Sequence, residues 1–113
     1  MPKSYHFVTT IHRGKDEGFL VYVGGIAALE SSQFDHVIFT LDEDEYHREV
    51  IDKGLDHGLR AHTILQVNDE NICTQALMAA KIIDRQIQPR RILFCSRNGT
   101  TRAPSLCLAW LTI

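Results

Sequence analysis

The sequence predicts an α/β domain, a small central sheet with helices on both faces. Three observations support this. Short apolar runs rich in β-branched residues alternate with stretches of helical period. The chain has 113 residues, enough for one domain and not for two, so residues 1–113 are read as a single domain. Near the end, a buried run passes through a glycine-bearing loop into a helix, which sets a loop at one end of the sheet.

The elements are read in chain order. Residues 18–23 (GFLVYV) form a β-rich run that closes on Gly24 and Gly25. Ile26–Ser31 suits one or two turns of helix. Residues 36–41 (HVIFTL) are a second buried strand, ended by residues 42–44. Residues 45–55 read as a helix with Val50, Ile51 and Leu55 on one side, and Gly54 and Gly58 are stop signals. Residues 61–67 (AHTILQV) are a third strand, followed by a polar loop at 68–71. Over residues 73–87, Ala76, Ala80, Ile83 and Ile87 recur at helical spacing until Pro89. Arg91–Cys95 (RILFC) is a short buried strand. The last helix follows residues 96–102, with Pro104 in its first turn, where a missing N–H does no harm. Its stripe is Leu106, Ala109, Trp110 and Ile113. It reaches the end of the sequence apolar and uncapped, so it is expected to pack against a further segment, a protein partner or a second copy.

Composition narrows the function classes. A formal net charge of −2 and a pI near 6.3 give no pull toward nucleic acid or an anionic membrane. No apolar run approaches the ~20 residues of a membrane span, and the first residues show no secretory pattern. The cysteines Cys73, Cys95 and Cys107 are odd in number and lie in apolar or loop contexts. That suits a reducing compartment, the cytoplasm or the nucleus. No glycine-rich nucleotide fingerprint is present, so neither ATP nor NAD is expected, nor any other cofactor. His6, His12, His36, His47, His57 and His62 show no zinc spacing with a supporting Glu or Cys, so they read as surface or packing residues. The acidic run 42–45 reads as a solvated helix cap. Arg90 and Arg91 read as a solvated connection.

The segment with chemistry is RILFCSRNGTTRAPSLCLAWL, residues 91–111. Backbone N–H groups of a small-residue loop can converge as an anion nest. A helix N-terminus adds unpaired donors and the positive end of its dipole. Arg102 can present a planar fork to two phosphate oxygens. Arg97, Asn98, Gly99, Thr100 and Thr101 complete the loop.

This stretch resembles the signature of the dual-specificity protein phosphatases, within the cysteine-based tyrosine phosphatase superfamily. That signature is a strand, His-Cys, five residues with a central glycine, Arg, then Ser or Thr and a helix. Gly99 falls on its glycine and Arg102 on its phosphate-binding arginine. Asp69 falls where its general acid usually stands, and LVYVGGIAAL (20–29) is similar to its early strand and small-residue turn. The resemblance spans residues 18–113. It implies a phosphatase-like fold and a loop, 96–102, that takes a phosphate or sulfate ion or the phosphorylated residue of a protein or peptide.

Three positions depart from that pattern. Cys95 stands for the histidine, Ser96 for the nucleophilic cysteine, and Ala103 for the Ser or Thr that assists the thiolate. A thiol in such a nest ionises easily. A serine hydroxyl stays protonated without an adjacent base. The expectation is an impaired, pseudophosphatase-like domain. The alternative is an active dual-specificity phosphatase carrying a Cys→Ser change at position 96. A third reading makes Cys95 the nucleophile, at the cost of one extra loop residue and a side chain pointing away from that of Ser96.

Overall fold

The apolar runs pair into one mixed five-stranded sheet. Its strands are β1 (Tyr5–His12), β2 (Gly18–Gly24), β3 (His36–Phe39), β4 (His62–Ile64) and β5 (Arg91–Cys95), in the order β1-β2-β5-β3-β4. The computed structural model describes residues 5–12, 18–31, 34–58, 61–85, 91–97 and 101–112. β2, β5, β3 and β4 run parallel, and β1 joins antiparallel at the edge. Among the described residues three α-helices accompany the sheet: α1 (Glu43–Tyr46), α2 (Ile72–Arg85) and α3 (Arg102–Leu111).

β3 and β5 lack alternation because both of their faces are covered. On one face Val21, Ile38, Ile92 and Phe94 pack with Ala76, Ala79 and Ile83 of α2 and with Ala103, Leu106 and Cys107 of α3. On the other face Val37, Phe39, Leu93 and Cys95 pack with Leu29, Phe34, Tyr46 and Val50. The α/β class and helices on both faces are therefore observed. α3 lies on α2 and on the sheet of its own chain, with the Trp110 ring 5.4 Å from that of Phe94. Leu108 faces outward, and Ile113 and Ile87 of the expected stripes lie outside the described residues.

Three differences from the sequence reading have local causes. The helix expected over 45–55 is broken. α1 starts two residues earlier, because Asp42 caps it by accepting a hydrogen bond from the Glu45 N–H at 2.7 Å. The chain then widens into a π-helical turn, His47–Ile51, closed by Asp52 N–H to the His47 carbonyl at 2.9 Å. Gly54, at φ 71°, takes the left-handed conformation that ends it.

The second difference is β1, which the sequence reading did not assign. Its pairing with β2 slips between Phe7 and Thr9, which leaves Val8 as a bulge. A one-residue slip swaps faces. Tyr5 accordingly packs with the cluster that holds Phe34, whereas Ile11 packs with the opposite cluster. The expected strands 36–41 and 61–67 are longer than β3 and β4. Beyond the regular ladder, Leu65 N–H still reaches the Phe39 carbonyl at 2.7 Å, and Val67 N–H reaches that of Thr40 at 3.3 Å.

His36 is 3% exposed, its Nε2 is 3.0 Å from Thr63 Oγ1, and its Nδ1 has no partner among the described residues. Burial, and secondarily the charge of His62, hold its pKa below the ordinary 6.5. The unfolded chain thus takes up a proton at a pH where the folded chain does not. Stability is full above 6.5 and falls as pH drops below it toward the folded pKa. His36→Leu is expected to flatten that part of the curve, read as melting temperature against pH. A slope unchanged by the substitution counts against His36 as its source.

Candidate functional site

The site follows from where the chain leaves the sheet. From β3 it passes to α1 on one face, and from the neighbouring β5 it passes to α3 on the other. Adjacent parallel strands whose connections diverge leave a crevice at their carboxyl ends. Ser96 and Arg97 leave β5 at that point, and Thr101 and Arg102 open α3.

The start of the loop is tied to both neighbouring strands. Ser96 is buried, and its N–H donates to the Gly24 carbonyl at 3.1 Å. Ile26 N–H donates to the Arg97 carbonyl at 3.4 Å. On the other side, Thr40 donates to the Cys95 carbonyl from its N–H at 2.8 Å and its hydroxyl at 3.2 Å. Thr101, exposed, is the residue before α3 and makes no side-chain cap bond. Asn98, Gly99 and Thr100 lie outside the described residues.

Arg102 is the first residue of α3 and is half-buried. Its Nη1 donates to Glu45 Oε1 at 3.1 Å and its Nη2 to Glu45 Oε2 at 3.2 Å. This two-pronged pair spans the crevice from α3 to α1. The hydrogen bonds, more than bulk charge, lower the Glu45 pKa and raise that of Arg102. A guanidinium has five N–H donors, so three remain beyond these two. One turn further on, Glu49 pairs with Lys53 at 2.6 Å and stands 3.8 Å from Arg97 Nε. Glu45 and Glu49 are thus directed toward the two loop arginines. The sequence reading missed this role of Glu45. Its signal was the i, i+4 pair of carboxylates, but nothing local says that they meet a loop about fifty residues away.

Cys95 is fully buried among the apolar side chains of the α1 face, and burial pushes its thiol up to about 12. A neutral, enclosed thiol is a poor nucleophile. Cys107, also pushed up to about 12, is buried on the opposite face, and Cys73 is exposed.

Asp69 is exposed on the turn before α2. That turn is held by amides. Asn68 Oδ1 accepts from the N–H groups of Glu70 and Asn71, both at 2.9 Å, and Asn71 Oδ1 accepts from Asn68 N–H at 2.8 Å. Asn71 and Gln75 both donate to the Gln66 carbonyl. The Asp69 carboxylate therefore sits on a braced turn that is built without it. A cleft of about 600 Å³ opens beside the start of α1, lined by Asp42, Glu43, Asp44, Ile64, Gln66 and Gln75. Its carboxylates repel an oxyanion.

Among the described residues no group of three His, Cys, Asp or Glu side chains could hold a metal ion, and no helix is long and apolar enough to cross a membrane. Comparison of the chain with protein-family models, curated proteins and solved structures finds no match.

The Glu45–Arg102 pair gives an acid signature. Because its pKa is lowered on folding, Glu45 contributes stability above about 4.5, and loses it as pH falls through the folded value. Partly exposed pairs are worth ~1 kcal/mol or less. Glu45→Gln is expected to lower the melting temperature slightly at neutral pH, by a deficit that shrinks as pH falls below 4.5 toward and through the folded value. A deficit that stays equal as pH falls contradicts the ion pair.

Proposed function

We propose that the chain is a phosphatase-like domain that binds a phosphate group, free or on a residue of a partner protein, in loop 96–102, and is impaired in catalysis by Ser96. The observation that carries this reading is the position of Arg102. It opens α3 at the divergence of β3 and β5, with its guanidinium already fixed by Glu45.

Each part has a physical role in that reading. The α3 N-terminus supplies N–H donors and a positive dipole end. Arg102, with three donors beyond those given to Glu45, grips phosphate oxygens. Arg97, exposed at the loop, adds positive charge for the approach of a phosphorylated peptide. Ser96 offers a hydroxyl and no thiolate, and Cys95 is too enclosed to substitute for one. The fold is read as similar to that of the dual-specificity phosphatases on the loop resemblance together with the α/β sheet. Asp69 keeps the general-acid position that this resemblance gives it.

Calorimetric titration with inorganic phosphate or sulfate is expected to show binding that Arg102→Ala abolishes. Unchanged affinity in that variant would sink the proposal. Turnover of a generic aryl phosphate is expected to be absent. If it is present and Cys95→Ala removes it, Cys95 is the nucleophile after all.

Ser96→Cys is expected to restore slow hydrolysis, because the nest and Arg102 still favour a thiolate. Two supports stay absent, the histidine before the nucleophile and the hydroxyl at 103, and each such hydrogen bond is worth a factor of roughly ten to a thousand. Adding Ala103→Ser should speed it, although the new hydroxyl enters a fully buried position. Rates typical of active phosphatases from Ser96→Cys alone would instead identify Ser96 as a single change in an active enzyme.

A further inference from the structure

The two arginines of the loop are each met by a carboxylate. Residues 96–102 carry two positive charges, Arg97 and Arg102. Glu45 accepts from both Nη atoms of Arg102, at 3.1 and 3.2 Å. Glu49 stands 3.8 Å from Arg97 Nε. Asp42, which caps α1, adds its negative charge to that of Glu45 at Arg102. Glu43 and Asp44 continue the acidic run along the neighbouring cleft. Residues 42–53 hold six carboxylates against two cations, Arg48 and Lys53, and Lys53 is itself paired with Glu49.

We propose that Glu45 is a specificity-determining residue, which limits the Arg102 site to a single phosphate group on an otherwise neutral or basic ligand, such as a phosphorylated residue of a peptide, and keeps out polyphosphates. The inference rests on the phosphate-binding reading above and names its ligand class. A guanidinium presents two forks, and Glu45 occupies the one formed by Nη1 and Nη2. The fork that remains, Nε–H with the adjacent Nη–H, spans two oxygens of one phosphate. A single phosphate group therefore still finds paired donors. A second phosphate joined to the first stays within the Debye length of about 8 Å from the carboxylates. It meets a net negative field there, because the positive charge of Arg102 is already balanced by Glu45. A neutral or basic flank meets no such repulsion.

Inorganic phosphate and pyrophosphate, titrated by calorimetry at constant ionic strength, separate this role from a structural one. Both anions need Arg102 in place, so a loss of its positioning moves the two affinities together. Loss of the Glu45 charge moves their ratio. The parent chain is expected to bind pyrophosphate no more tightly than phosphate. Glu45→Gln is expected to shift the ratio toward pyrophosphate by a factor of roughly three to thirty, the Coulomb energy of one added charge several ångströms away at a dielectric between those of a protein surface and water. Glu45→Asp, which keeps the charge, should keep the parent's ratio. In the parent itself, a phosphoserine peptide flanked by lysines should bind more tightly than one flanked by glutamates, a readout independent of how any variant folds. A parent that prefers pyrophosphate or the glutamate-flanked peptide overturns the inference, as does a ratio that Glu45→Gln leaves unchanged, and in each case the phosphate site itself still stands. Absence of binding by either anion in parent and variants overturns the phosphate-binding reading, and this inference with it.

Discussion

Enclosure of β5 is the constraint from which the rest of the structure follows. It is hydrogen-bonded along both edges, to β2 and to β3, and residues 92–95 are buried. A strand so placed must be apolar throughout, which is why RILFC shows no alternation. It must also deliver its next residue at the centre of the sheet's carboxyl end. Because α3 then turns to one face while α1 occupies the other, Ser96 and Arg97 leave β5 at the crevice that diverging connections open in a parallel sheet. The hydrogen bonds from Ser96 to Gly24 and from Thr40 to Cys95 fasten that exit on both sides.

The Glu45–Arg102 pair has two opposed effects on an anion at this exit. An unrestrained arginine carries ~2 kcal/mol of rotamer entropy. Holding its guanidinium in advance lowers the ordering cost of binding. The same carboxylate lowers the local positive potential. In the proposed reading, the fixed guanidinium makes the site read the geometry of a tetrahedral oxyanion and not only attract its charge. What the site lacks is a thiolate, since position 96 is serine and the thiols of Cys95 and Cys107 are both pushed up to about 12 by burial. In the proposed reading, recognition and hydrolysis are therefore separable, because they depend on different residues.

Much of the fold was legible because its elements carry local signals. α2 and α3 announce themselves by period, β3 and β5 by apolar runs, and the acidic run by its capping residue Asp42. β1 was not legible as packed structure. Its bulge moves the apolar positions from one face to the other in mid-strand, so no single alternation describes where its side chains go. The helix over 45–55 was legible as helical but not as broken, since a π turn depends on how Tyr46 and Val50 both reach the core. At the site, Ser96 and Arg102 were readable from the loop pattern. Glu45 was not, because its partner is fixed by tertiary structure and its own neighbourhood reads as an ordinary solvated cap.

The proposal makes the exit of β5 into α3 an oxyanion site organised by Arg102. Nuclear magnetic resonance of the ¹⁵N-labelled chain, titrated with inorganic phosphate at constant ionic strength, tests it most directly. An oxyanion site there gives saturable shifts in the amides from Ser96 to Ala103 and in the Arg102 side-chain Nε–H, with smaller changes at Glu45. Shifts that never saturate, or that appear instead around the acidic cleft at Asp42 and Gln75, would contradict it.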